Sequence, residues 1–218
     1  MSQEGQASRA AEQTKRGTER LEAFSDGVFA IATTLLVLDL KTPEMARVTP
    51  AALADALAHQ WPRYLTLVFS FVTILIIWVY HHRLFQSVRR AGTTLLLTNG
   101  LLLLLVTLIP FPTSLVGRYL TTPGAPVACA AYAGFFVLID SAYSLLWWVV
   151  YRQETGGRVG GAPLPQGMAI SFLGIPCYAV ATVVALRVPL LSLGICAAFW
   201  VVWAITSRTP RLPSKGTA

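Results

Sequence analysis

The chain has 218 residues, of which 55% are hydrophobic and only 12% charged, and its mean hydropathy is +0.59. A soluble domain carries about 25% charged residues, so a water-exposed globule is excluded, and the apolar residues fall in runs of about 20, the length that spans a hydrocarbon core. The net charge of +7 comes from cations scattered between those runs, which suits a membrane topology and argues against nucleic acid as a partner.

In chain order, residues 1–19 are polar and charged and read as a disordered cytoplasmic tail, because a secretory signal would place its apolar region nearer Met1. Span 1 follows from about Leu21 to Leu40. A short amphipathic helix is predicted next, with Thr49 as N-cap, Pro50 at its first position, and Leu53 and Leu57 on one side. Span 2 runs from Trp61 to about His82. Span 3 runs from about Thr93 to Pro112, where Pro110 and Pro112 remove amide donors and end the helix. Span 4 covers about Val127 to Tyr151, and a Gly/Pro loop from Gly156 to Pro165 leads to span 5, about Met168 to Leu186. Span 6 covers about Val188 to Ile205. The expected organisation is an all-α integral membrane protein, with a six-span transmembrane domain over 20–207 and a cytoplasmic tail over 208–218.

With both termini inside, twelve of the 17 Lys and Arg residues lie on the inner side, and only Lys41, Arg47, Arg63, Arg118 and Arg187 lie outside. That bias, with an even number of spans, predicts a multi-pass protein of the cell membrane with both termini cytoplasmic. Cys129, Cys177 and Cys196 all fall within spans and read as small packing residues. No metal-ligand spacing, nucleotide-binding loop or nucleophile–base pair is present, so no enzyme, metal site or cofactor is expected.

Polar residues inside the spans carry the remaining information. A carboxylate in a span costs several kcal/mol unless it faces protein or water, so Asp26 is expected to point into the bundle. At 100° per residue, Phe24, Ile31, Leu35 and Leu38 share a different face of span 1, with Thr34 at its edge. This face either packs against protein or lipid, or lines a pore as an Ile/Leu constriction. One of the adjacent His81 and His82 is expected to bond into the bundle while the other reaches the interface. Asn99 is expected to bond across helices. Asp140 is either bonded to Ser141, Tyr143 or another helix, or is a proton-relay group.

The segment Arg20, Phe24-Ser25-Asp26 and Phe29-Ala30-Ile31 through Leu38-Asp39 resembles the signature of the transmembrane protein 175 family, the endosomal and lysosomal potassium channels and their bacterial relatives. His81-His82-Arg83-Leu84-Phe85, Asn99 and Pro110-Phe111-Pro112-Thr113 also look like that family's second and third spans, so the likeness covers about residues 20–115. The resemblance implies a homotetramer whose span 1 helices line a central pore that passes potassium ions passively. It further implies Ile31 as the narrowest ring, Leu35 and Leu38 beside it, and Thr34 as a polar layer. Arg20, Phe24, Ser25, Asp26, His81 or His82, and Asn99 would form the network that holds span 1. The alternative is a proton-conducting or proton-coupled transporter using Asp140, Asp26 and His81/His82.

Overall fold

The computed structural model describes residues 3–46, 48–88, 90–155 and 166–206, and every regular element among them is a helix. Helix α1 (Gln3–Leu35) tightens into a 3₁₀ turn (Leu36–Asp39). It is followed by α2 (Pro50–His59), α3 (Trp61–Phe85), α4 (Thr93–Leu108) and α5 (Pro110–Tyr119). The remaining helices are α6 (Ala125–Glu154), α7 (Gln166–Ala185) and α8 (Pro189–Thr206). Five stretches are long and apolar enough to cross a membrane, α4 and α5 counting as one, and α8 is a shorter apolar sixth. The loop from Gly156 to Pro165 and the tail over 208–218 lie outside the described residues.

Two expectations are corrected. Helix α1 begins at Gln3, so residues 3–19 continue the helix of span 1 where a disordered tail was expected. Span 3 does not stop at Pro112: the chain turns at Ile109 and continues as α5 to Tyr119. Proline is tolerated in the first turn of a helix, where its missing N–H has no intrahelical acceptor to serve. Pro110 therefore opens a new helix, and the Ile109 N–H closes the preceding turn on the Val106 carbonyl at 3.2 Å. The predicted cap of α2 is present, with the Ala52 N–H donating to Thr49 Oγ1 at 3.1 Å.

Helix α6 is the axis of the bundle, packed by α4, α5, α7 and α8, while α1 lies against α3 and α4. The α1 span buries only 22% of its apolar window inside the bundle, against 61% for α6. The margin of the bundle is therefore α1. Small residues let α6 and α7 approach closely. Asp140 sits directly over Gly174, where a Cβ would lie 1.7 Å from Asp140 Oδ2 and 3.1 Å from the Phe199 ring.

That fit yields a test. Gly174→Ala forces the buried Asp140 carboxylate to move and should destabilise the purified protein by about 1 to 3 kcal/mol, read as a lowered melting temperature in detergent. Adding Asp140→Ala should restore much of that loss, because it removes the atoms that collide; purely additive effects would contradict the contact.

Candidate functional site

Helix α1 presents two opposed faces. Ser25, Phe29, Ala32 and Leu36 are buried at spacings of four, three and four, which places one stripe against α3 and α4. On the other side Phe24, Ile31, Leu35 and Leu38 are exposed, Ile31 at 59% and Leu38 at 68%. Thr34 is exposed beside them, and its hydroxyl donates to the Ile31 carbonyl at 2.8 Å. With its proton committed there, the Thr34 oxygen keeps lone pairs free for an approaching cation.

The buried stripe is fixed by a chain of hydrogen bonds whose direction can be assigned. Ser25 Oγ donates to the Leu21 carbonyl at 2.8 Å, so it accepts from Asn99 Nδ2 at 2.9 Å. The amide oxygen of Asn99 then faces His81 Nε2 at 2.8 Å, and that nitrogen must be the donor. His81 is fully buried, with its ring stacked on Phe85 at 4.2 Å and tilted against Phe29 at 5.2 Å. One chain thus runs from α3 through α4 to α1. A second contact lies beside it: Trp78 Nε1 donates to Asp26 Oδ1 at 2.8 Å, so Asp26 points into the bundle. A third joins Glu22 Oε1 to His82 Nδ1 at 2.8 Å on the half-exposed rim, an ion contact when His82 is protonated.

The far end of the helix is held as well. Ser114 Oγ of α5 donates to Asp39 Oδ1 at 2.7 Å, beside Gly117, where an added Cβ would meet Thr66, Asp39 and Arg63 within 3.3 Å. Between Asp26 and Asp39 the side chains of α1 make no polar bond to another helix among the described residues. Ile31 lies in that stretch.

The structure brings Ser25, Asp26, His81, His82 and Asn99 to the α1–α3–α4 contact, and it leaves two predicted members outside. Arg20 is exposed and makes no polar contact among the described residues. Phe24 is 64% exposed, because seven residues separate it from Ile31 and return it to the same face. Asp140 is buried yet bonds neither neighbour proposed for it: Ser141 donates to the Val137 carbonyl at 2.7 Å, and the Tyr143 hydroxyl and Asp140 Oδ2 have no hydrogen-bond partner among the described residues. Asp140 instead borders a small cavity with Thr73, Tyr178 and Trp200, away from the α1 network. Sequence reasoning missed Trp78 and Glu22 as partners, and it missed Ser114. It also missed the stripe Thr66, Ser70 and Thr73 on α3, although that spacing in an apolar span marks a polar helix face.

Three comparisons with known proteins bear on these faces. The family described as endosomal/lysosomal potassium channel TMEM175 matches residues 20–110. A potassium channel of Chamaesiphon minutus is 49% identical over 138 residues, which span 63% of this chain and 67% of that protein. The crystal structure of a lysosomal potassium-selective channel TMEM175 homolog from Chamaesiphon minutus superposes with a TM-score of 0.77 at 39% identity, covering 88% of this chain and 98% of that one. The human endosomal/lysosomal proton channel TMEM175 is 33% identical over 146 residues, but this chain spans only 29% of its length.

Asn99 is the centre of the α1 anchor, and its loss strands two partners while the loss of Ser25 strands one. Asn99→Ala should therefore lower stability by about 1 to 2 kcal/mol, the range for an orphaned buried partner in a membrane bundle, and by more than Ser25→Ala. Melting curves of the two purified variants in one detergent decide the order.

Proposed function

The chain belongs to the TMEM175 family of potassium channels, and from that premise we propose that four copies assemble around α1 to form a passive, potassium-permeable pore in the cell membrane, with both termini in the cytoplasm. The observation that carries the reading is the division of α1. Ser25 and Asp26 are spent on one face, and the face bearing Ile31, Leu35 and Leu38 with Thr34 has no partner within the chain among the described residues. In a tetramer that face points at the axis, so the Ile31 side chains form the narrowest ring and Leu35 and Leu38 line the pore beyond it.

Such a ring closes the pore by dewetting, since a narrow apolar tube is a poor place for water and a worse one for an ion. A small rotation or dilation wets it. The described residues carry no loop of stacked carbonyls in the pore position, so selectivity must come from the cost of partial dehydration. That cost is lower for the larger, more weakly hydrated potassium ion than for sodium, and the Thr34 oxygens replace part of the lost water. Discrimination by this route is modest. Asp26 and the His81–Asn99–Ser25 chain act as positioning residues that set the rotation of α1.

A second reading is proton permeation, favoured by the human relative's being a proton channel by name and by the buried Asp140, whose Oδ2 has no hydrogen-bond partner among the described residues. In that reading a pH gradient alone drives current and Asp140→Asn abolishes it.

The deciding measurement is the reversal potential of the purified protein in a planar bilayer with potassium on one side and sodium on the other. A shift toward the potassium equilibrium value is expected; a current that follows only the pH gradient selects the second reading. Ile31→Asn should wet the constriction and raise the current severalfold, and an unaltered current in that variant would remove Ile31 from the gate.

A further inference from the structure

At the end of the bundle where α1 stops, the segment after the 3₁₀ turn, the α2–α3 junction and the C-terminal end of α5 enclose an open cleft of about 400 Å³. Lys41, Arg63 and Arg118 line it, and among the described residues Glu44 is the one acid on its wall. None of the three cations is in an ion pair among the described residues; Asp39 nearby accepts from Ser114 and keeps its negative charge. Three positive charges thus face Glu44 on the wall and Asp39 beside it, which leaves the recess net positive. Without a counter-anion that arrangement opposes folding and assembly.

The surroundings say where the anion comes from. Helix α2 has no buried residue, and its Leu53 and Leu57 are exposed, which is the pattern of a helix lying in the membrane interface. Trp61 and Tyr64 are exposed at the start of α3, the aromatic pair typical of headgroup depth. The cleft therefore opens at the level of lipid phosphates. Arginine forks match phosphate oxygens in pairs, and lysine adds a point charge. We propose that this cleft binds a phosphate group, supplied by the headgroup of an anionic lipid. Because Lys41 and Glu44 lie just beyond the turn that ends α1, the bound phosphate steadies the outer end of that helix.

The test uses the intact chain in detergent, with native mass spectrometry during titration with phosphatidylglycerol and with phosphatidylcholine. Phosphatidylglycerol should form the tighter adduct. The triple variant Lys41→Gln, Arg63→Gln, Arg118→Gln should weaken it by about fivefold per cation removed, while Arg16→Gln, Arg152→Gln, Arg187→Gln, which removes the same charge elsewhere, should not. Glu44→Gln should strengthen it, and this variant alone decides the matter if the triple variant fails to assemble. Equal loss in the two triple variants, or no change in any variant, overturns the proposal. Inorganic phosphate at millimolar concentration serves as the competitor: binding of phosphate without any preference for phosphatidylglycerol would overturn the lipid as its source.

Discussion

Helices inside a bilayer gain nothing from excluding water, because lipid tails are as apolar as leucine. What holds this bundle in one arrangement is the set of polar side chains carried by α3. Trp78 reaches Asp26 of α1, and His81 reaches Asn99 of α4. Ser70 meets Thr113 of α5 at 2.6 Å and Tyr132 of α6 at 3.2 Å, and Trp200 of α8 donates to Thr73 at 3.0 Å. Tyr80 donates to the Trp203 carbonyl, again on α8. The Thr113 hydroxyl donates to the Ile109 carbonyl, so Ser70 donates to Thr113 and Tyr132 to Ser70. One helix thus bonds to five others through groups that would each be costly if left unpaired in hydrocarbon.

The division of labour within the bundle follows from that hub. The polar bonds around α6 and α8 fix its packed half. The bonds from Trp78, His81 and Asn99 hold α1 at the margin in a defined rotation. A helix that must present an apolar face to a pore cannot be held by that face. In the proposed channel its orientation has to be set from behind, and Glu22, Ser25 and Asp26 of α1 do so through His82, Asn99 and Trp78.

Much of this was legible in the sequence because the bilayer enforces simple rules. Runs of about 20 apolar residues had to be spans, Thr49 before Pro50 had to cap a helix, and Asp26 had to find a partner inside. Asn99 and the histidine pair were legible for the same reason. The partners were not. Which tryptophan meets Asp26 depends on the relative rotation of two helices, which no single helical period contains. The fate of Pro110 was equally hidden, since a proline can end one helix or begin the next, and neighbouring packing decides between them. The surroundings of Asp140 were not legible either: a bond to Ser141, to Tyr143 or to another helix, or a proton-relay role, all fitted the sequence, whereas Ser141 bonds its own helix and Gly174 makes room for the carboxylate against α7.

The 3₁₀ turn at Leu36–Asp39 has a mechanical consequence. Helix α1 is clamped near Asp26 by α3 and α4 and at Asp39 by Ser114, so it behaves as a shaft held at both ends, which resists tilting as a rigid rod. The slack in such a shaft lies in its pitch. A 3₁₀ helix rises 2.0 Å per residue with 3.0 residues per turn, and an α-helix rises 1.5 Å with 3.6, so converting these four residues shortens the shaft by about 2 Å and unwinds it by about 80°. With the ends fixed, that torsion has to be absorbed along the unclamped stretch between them, and Ile31 sits there.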